Sequence, residues 1–250
     1  MESVFVLKDV SYSYHSRFKA LERINLEIEK STCTVILGAN GSGKSTLLKI
    51  IDMLILPDNG EFFAFGRKID KKAIKDEKFN EFFRKSVGFV FQDPDTQLFL
   101  PTVRDELAFA PVQIGYSKDK IEEIVIKVSE EMGIAGILDK FPFNLSEGEK
   151  KKVAIASIYT LNPDVWILDE PIFSLDPKTQ WWVVDFLKHL KEKNKTIIIA
   201  THNIKLAKLL ADKCVIISPD HKIAKISDTS ILDDKNILIE NNLIHPMGIL

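Results

Sequence analysis

The sequence predicts an α/β fold with an antiparallel β subdomain at its start and an α-helical subdomain inserted in its middle. Three observations carry this reading. Apolar and polar residues alternate through residues 4–14 and 24–29, as in half-buried antiparallel strands. The apolar run 34–37 ends in a glycine-rich turn that opens into a helical pattern over 44–52. Beyond residue 160, short apolar strands alternate with helices, which implies parallel pairing.

The elements follow in order. Further strands are expected at 62–65 and 87–91, and the charged stretch 68–85 between them reads as a solvated loop and helix face. Residues 102–160 read almost wholly as helix. Within them, 117–132 places Ile121, Ile124, Val125, Val128 and Met132 on one face, with acids and lysines opposite. Then come a strand at 165–168, a helix at 177–193, a strand at 196–200, a helix at 204–211 and a strand at 214–217. Residues 215–226 suggest a hairpin turning at Pro219 and Asp220, and 230–250 a short tail with one helix. The expected layout is a single domain over 1–250. Its core spans 1–92 and 161–227, its helical subdomain 93–160 and its tail 228–250.

Composition narrows the class. A chain of 250 residues can bury a large core, and 45% hydrophobic with 28% charged residues is ordinary for a globular protein. The net charge of −2 gives no bulk attraction to nucleic acid. No apolar run approaches the roughly 18 residues that span a bilayer, and the best candidate, 50–57, carries Asp52. The start of the chain lacks the charged-then-apolar pattern of a signal peptide. A cytoplasmic location is therefore expected, with any membrane role supplied by a partner. Cys33 and Cys214 lie in apolar, strand-like runs without metal or redox spacing, and read as two buried thiols.

Gly38-Ala39-Asn40-Gly41-Ser42-Gly43-Lys44-Ser45, followed by Thr46, fits a phosphate loop. Its glycines let backbone N–H groups surround phosphate oxygens, and the following helix turns its positive end to the same anions. Lys44 can reach the β- and γ-phosphates, and the Ser45 hydroxyl can ligate Mg²⁺. Alone, the motif says only nucleotide phosphate.

Other candidates are weaker singly. The strand 165–168 runs into Asp169 and Glu170. Ligands collect at such carboxyl ends, so Asp169 can hold Mg²⁺ and Glu170 can take a proton from attacking water. The bland alternative for the pair is a helix cap. Gln92 ends strand 87–91, and its amide could touch the metal or the water. His202 follows strand 196–200 and could hydrogen-bond a γ-phosphate, though a lone His there is usually structural. Ser146 precedes a helix, and Glu149 three residues on completes a capping box. The functional alternative is that this helix start meets the γ-phosphate of an ATP bound by another chain.

Taken together, these motifs resemble the ATP-binding cassette family over nearly the whole chain. The matching positions are Tyr14, residues 38–46, Gln92, Leu145 to Glu149, Asp169 with Glu170, Ser174-Leu175-Asp176 and His202. The resemblance implies a P-loop NTPase of the RecA-like kind that hydrolyses Mg-ATP. It also implies that Tyr14 stacks on adenine, an interaction worth about 1–3 kcal/mol that scarcely discriminates between bases. Two chains, alike or different, would pair head to tail. Each ATP would lie between the phosphate loop of one and Ser146 and Gly148 of the other, with Asp176 at the seam.

A narrower resemblance lies in residues 87–99, with 102–111 and the tail segment 236–246. These are similar to ATPases of energy-coupling-factor importers of vitamins or of cobalt and nickel ions. That implies a transmembrane coupling protein, a substrate-binding membrane protein and a place at the cytoplasmic face of the membrane. It also implies a tail helix that assists pairing of the chains. The segment Leu145 to Glu149, which matches the family's signature motif, departs from the family pattern: Glu147 stands where glycine is usual and Glu149 where glutamine is usual. A carboxylate beside phosphate repels it unless it faces solvent, whereas Glu in a first helical turn suits the dipole. A usable but weakened signature is expected. The competing class is a non-transport cassette ATPase acting in iron–sulfur assembly, on DNA or on the ribosome. The chain lacks the long heptad insertion or second phosphate loop of some such relatives.

Overall fold

The computed structural model describes residues 2–246; Met1 and residues 247–250, the extreme ends of the expected first strand and tail, lie outside them. The chain divides into two compact units. One takes the residues up to Asn80 with those from Val184 onward, and the other is Glu81–Val183.

The first unit opens with β1 (Ser3–Tyr14) and β2 (Phe18–Glu29), paired antiparallel. Its later elements before Asn80 are β3 (Cys33–Leu37), α1 (Lys44–Ile51), β4 (Asn59–Ala64) and β5 (Arg67–Lys68). The strand expected at 62–65 turns out to extend the N-terminal sheet: β4 pairs with the free side of β1, giving the antiparallel order β2-β1-β4-β5. Alternation sets which side is covered, since Ile24, Leu26 and Ile28 are buried while the residues between them face out.

Helix α2 (Glu77–Ser86) leads into the second unit. There β6 (Val87–Val90) pairs in parallel with β7 (Val165–Asp169). Between them run α3 (Val103–Gln113), α4 (Lys118–Glu131) and α5 (Glu147–Tyr159). The helical middle expected over 102–160 is divided into three α-helices. It breaks at Gly115 and again over 132–146, where Gly133, Gly136 and Pro142 interrupt the pattern. On α4, Val125 and Val128 are buried as the apolar stripe requires, and Met132 just beyond it is too. Helix α5 begins directly after Ser146, because Ser146 and Glu149 close a capping box around its first turn.

Helix α6 (Pro177–Glu192) leads back to the first unit, followed by β8 (Thr196–Thr201), α7 (Ile204–Leu210), β9 (Lys213–Ile217), β10 (Ile223–Ser227) and α8 (Lys235–Glu240). Here β3 lies between β8 and β9, parallel to both, and β10 folds back on β9 as the expected hairpin. Every residue of β3 and β8 is buried. Helix α1 buries Leu47, Leu48, Ile50 and Ile51, each worth about 1.5–3 kcal/mol when fully covered. No described helix is long and apolar enough to cross a membrane.

Cys33 and Cys214 are both buried and free. Burial pushes the Cys33 thiol up to about 12 and the Cys214 thiol up to about 11. Both are therefore protonated at pH 8. Iodoacetamide should leave them unmodified in native protein and label both in urea, as counted by intact mass; rapid native labelling would contradict this placement.

Candidate active site

The phosphate loop hangs from the end of β3. Gly41 (φ 81°) and Gly43 (φ 106°) both take the left-handed conformation. At Gly43 a side chain is excluded twice over, by that φ and by the Ala20 carbonyl oxygen where a Cβ would stand. Successive turns of this kind set N–H groups around a common concavity that suits an anion. Lys44 is 6% exposed, and its Nζ donates to Gly38 O at 2.8 Å and Ala39 O at 3.1 Å, so the ammonium is held over the loop. The buried Ser42 hydroxyl has no hydrogen-bond partner among the described residues. An orphaned hydroxyl at the centre of an anion-shaped loop fits a phosphate ligand. Ser42 also offers its carbonyl oxygen to His221 Nδ1 at 3.2 Å, so the β9–β10 turn buttresses the loop. The sequence shows that turn but not its target.

Two further candidates join the loop in the first unit. Leu37 pairs in register with Thr201, so Gly38 and His202 leave neighbouring strand ends. His202 is exposed, and the next residue, Asn203, caps α7 by accepting from Leu206 N at 2.9 Å. Tyr14 packs edge-on to Tyr12 with centroids 5.0 Å apart, and its hydroxyl lies 3.3 Å from Thr46 Oγ1. Tyr14, the loop and His202 therefore gather at the carboxyl edge of β3 and β8, where α/β sheets bind ligands.

The second unit repeats the arrangement. Val90 pairs with Leu168, so Gln92 and the Asp169–Glu170 pair follow adjacent strand ends. Asp169 and Glu170 are 7% and 6% exposed, whereas Gln92 is exposed. Glu170 has φ 42°, left-handed backbone that costs a non-glycine residue about 1–3 kcal/mol. Strain of this kind clusters at functional positions. Beneath Gln92, Lys151 Nζ donates to Phe91 O at 3.0 Å and Gln92 O at 2.8 Å. Burial pulls the Lys151 ammonium down to about 8. The sequence gives no sign of this lysine's role, since it stands in a run of three.

Ser146 and Glu149 satisfy each other. Ser146 Oγ accepts from Glu149 N at 3.3 Å, and Glu149 Oε2 accepts from Ser146 N and Ser146 Oγ at 2.9 Å each. Those bonds, the backbone one first, hold the Glu149 carboxyl below the usual range. The Glu147 side chain is 62% exposed and lies 3.4 Å from Lys150, which also meets Asp95 at 2.8 Å. Its charge thus faces solvent and a cation. Gly148 packs so closely on the next helix that a Cβ would come within 2.6 Å of Thr179 Oγ1. Thr179 in turn donates to Asp176 Oδ2 at 2.6 Å, which lowers the Asp176 carboxyl. Ser146, Gly148, Lys152, Ser174, Asp176 and Trp182 line a pocket of about 670 Å³. There the Lys152 ammonium stands 5.0 Å from the Trp182 ring centroid.

A glycine-rich loop leaving a parallel strand and opening into a helix fits the binding of nucleotide phosphate. The family model described as ABC transporter matches residues 21–173. A relative from Methanosarcina acetivorans is 43% identical over 98% of this chain and 90% of its own length; its name goes no further than ABC transporter ATP-binding protein. The energy-coupling factor transporter ATP-binding protein EcfA of Methanothermobacter thermautotrophicus is 36% identical over 96% of this chain and 76% of its own. Among solved structures, cbiO1 from Clostridium perfringens, part of the ABC transporter complex cbiONQ, superposes with a TM-score of 0.80. It is 32% identical and covers 99% of this chain and 97% of its own. The chain belongs to the ABC transporter family of ATPases.

Proposed function

We propose that this chain is the ATP-hydrolysing subunit of an importer of the energy-coupling-factor type, working as a head-to-tail pair at the cytoplasmic face of the membrane. The phosphate loop with its orphaned Ser42 hydroxyl carries the nucleotide part of this reading. Residues 38–46 grip the triphosphate, Lys44 gives the β- and γ-phosphates their cation, and Tyr14 stacks on adenine. Ser45, Gln92 and Asp169 would hold Mg²⁺; hydroxyl, amide and carboxylate oxygens are the hard donors this ion takes. Held by these residues, the ion would supply positive charge to the phosphate oxygens. Glu170 accepts the proton of the attacking water, and His202 hydrogen-bonds the γ-phosphate. Ser146 and Gly148 of the second chain close over the same ATP, with Asp176 at the seam. In this layout residues 93–160 form the helical subdomain and 228–250 the tail.

The importer part rests on the stretch after Gln92. Buried Glu106 accepts from the backbone N–H groups of Phe99 and Leu100 and so pins this segment to α3. Phe99 is left 67% exposed, edge-on to Phe109, itself 40% exposed, with centroids 5.3 Å apart. An outward apolar pair held by buried bonds supports a partner surface at this segment. The relative EcfA and the cbiO1 structure support the same subfamily. Affinity purification from the native membrane should bring down integral membrane proteins and ATPase activity together. Recovery of the chain only with ribosomes, DNA or iron–sulfur assembly proteins would refute the importer role.

The signature gives a second test. Glu147→Gly should leave ATP affinity within about twofold and preserve or raise turnover, because an exposed charge acts weakly through water. A large loss of steady-state hydrolysis would contradict the proposed role of this helix start.

A further inference from the structure

Helix α5 is tied to residues 91–97 by three side chains. Lys151 Nζ donates to the carbonyl oxygens of Phe91 and Gln92 at 3.0 and 2.8 Å. Gln97 works in the other direction: its Nε2 donates to Ala154 O at 2.7 Å, while its Oε1 accepts from Phe91 N at 3.2 Å. Lys150 Nζ stands 2.8 Å from Asp95 Oδ1. The ties join the first two turns of α5 to one short loop. Of these groups Lys151 is the most costly to keep. It is 1% exposed, and removing an ammonium from water is expensive even when the charge is hydrogen-bonded. A methionine would fill the same volume without that cost. What methionine lacks is a donor for the two carbonyls at the root of Gln92.

We propose that Lys151 is a positioning residue for Gln92, fixing the backbone from which that amide projects to the first turns of α5, so that Gln92 and Ser146 move as one body. The proposal rests on the roles given above to Gln92 and Ser146. It makes α5 the element that carries a displacement of the Phe99 segment to the γ-phosphate contacts. A free loop would absorb that displacement; a loop clamped at 91, 92, 95 and 97 transmits it.

The test is a double-mutant cycle in the full chain with its companions. Lys151→Met should bind ATP like the parent, because other residues form the phosphate loop. Its kcat should fall about tenfold to a hundredfold with KM little changed, the range that misplacement of a reacting group by about 1 Å produces. Lys151→Arg, which keeps donors, should recover most of the rate. In a Gln92→Ala background, adding Lys151→Met should change kcat less than about twofold, since on this proposal the lysine acts through the glutamine and not through its charge on Asp93 or Asp169. Amide exchange over residues 91–96 should quicken in Lys151→Met while that of α5 holds steady. A kcat within twofold of the parent, or full additivity with Gln92→Ala, overturns the proposal. If Lys151→Met does not fold, Gln97→Leu enters the same cycle with the same outcomes. If the parent itself hydrolyses no ATP, the proposed function fails on its own terms. Amide exchange then decides the tether alone, and unchanged exchange over 91–96 overturns it.

Discussion

Lys44→Ala should lower the affinity for ATP by about 100-fold. The ammonium already stands over the phosphate loop, 2.8 and 3.1 Å from its carbonyls, in a nearly water-free position. A charged hydrogen bond is worth about 1.5–3 kcal/mol, and each 1.4 kcal/mol is tenfold in affinity. Alanine also removes the bonds that hold Gly38 and Ala39 in place, so the cradle loses shape along with charge. Equilibrium titration with a fluorescent ATP analogue measures the effect. Thermal unfolding should show the variant folded, because the sheet and the Leu47, Leu48, Ile50 and Ile51 packing are untouched. An affinity within threefold of the parent would remove Lys44 from the site.

Glu170→Gln should leave ATP binding intact and cut turnover by about 10²–10⁴, the usual contribution of a positioned base. The exchange is close to isosteric and keeps the left-handed turn at φ 42°, so a loss would report the proton acceptor rather than the fold. A trapped, ATP-loaded pair of chains should accumulate, visible as a doubled mass on size exclusion with Mg-ATP and a return to single chains without it. Full turnover in this variant would refute the assignment. The same experiment run with a companion ATPase tells a homodimer from a heterodimer.

Most of the fold was legible because its signals are local. The apolar runs that became β3, β7, β8 and β9 are short and end in glycine, acid or polar turns, so their type and end points follow from pattern alone. The place of β4 was not legible. Strand pairing is a non-local choice, and nothing in residues 62–65 says that they lie against β1 rather than β3. The helical middle was legible as a region, but the exact breaks at Gly115 and over 132–146 were not, since tertiary packing sets where each helix stops. Among the candidate residues, the phosphate loop and the Asp169–Glu170 pair stand out by spacing. Gln92 and His202 are single residues, and only the ordered set of motifs raises them. Lys151 and His221 could not be found at all. Each acts on a backbone carbonyl far away in sequence, Gln92 and Ser42 respectively, and no motif records such a bond.

Calorimetric titration of the purified chain, alone and with its natural companion, with ATP in the presence of magnesium tests the central claim most directly. One nucleotide bound per chain, with affinity about 100-fold weaker in Lys44→Ala, is the predicted result. No heat of binding from either preparation, with the protein shown to be folded, would contradict the account at its base.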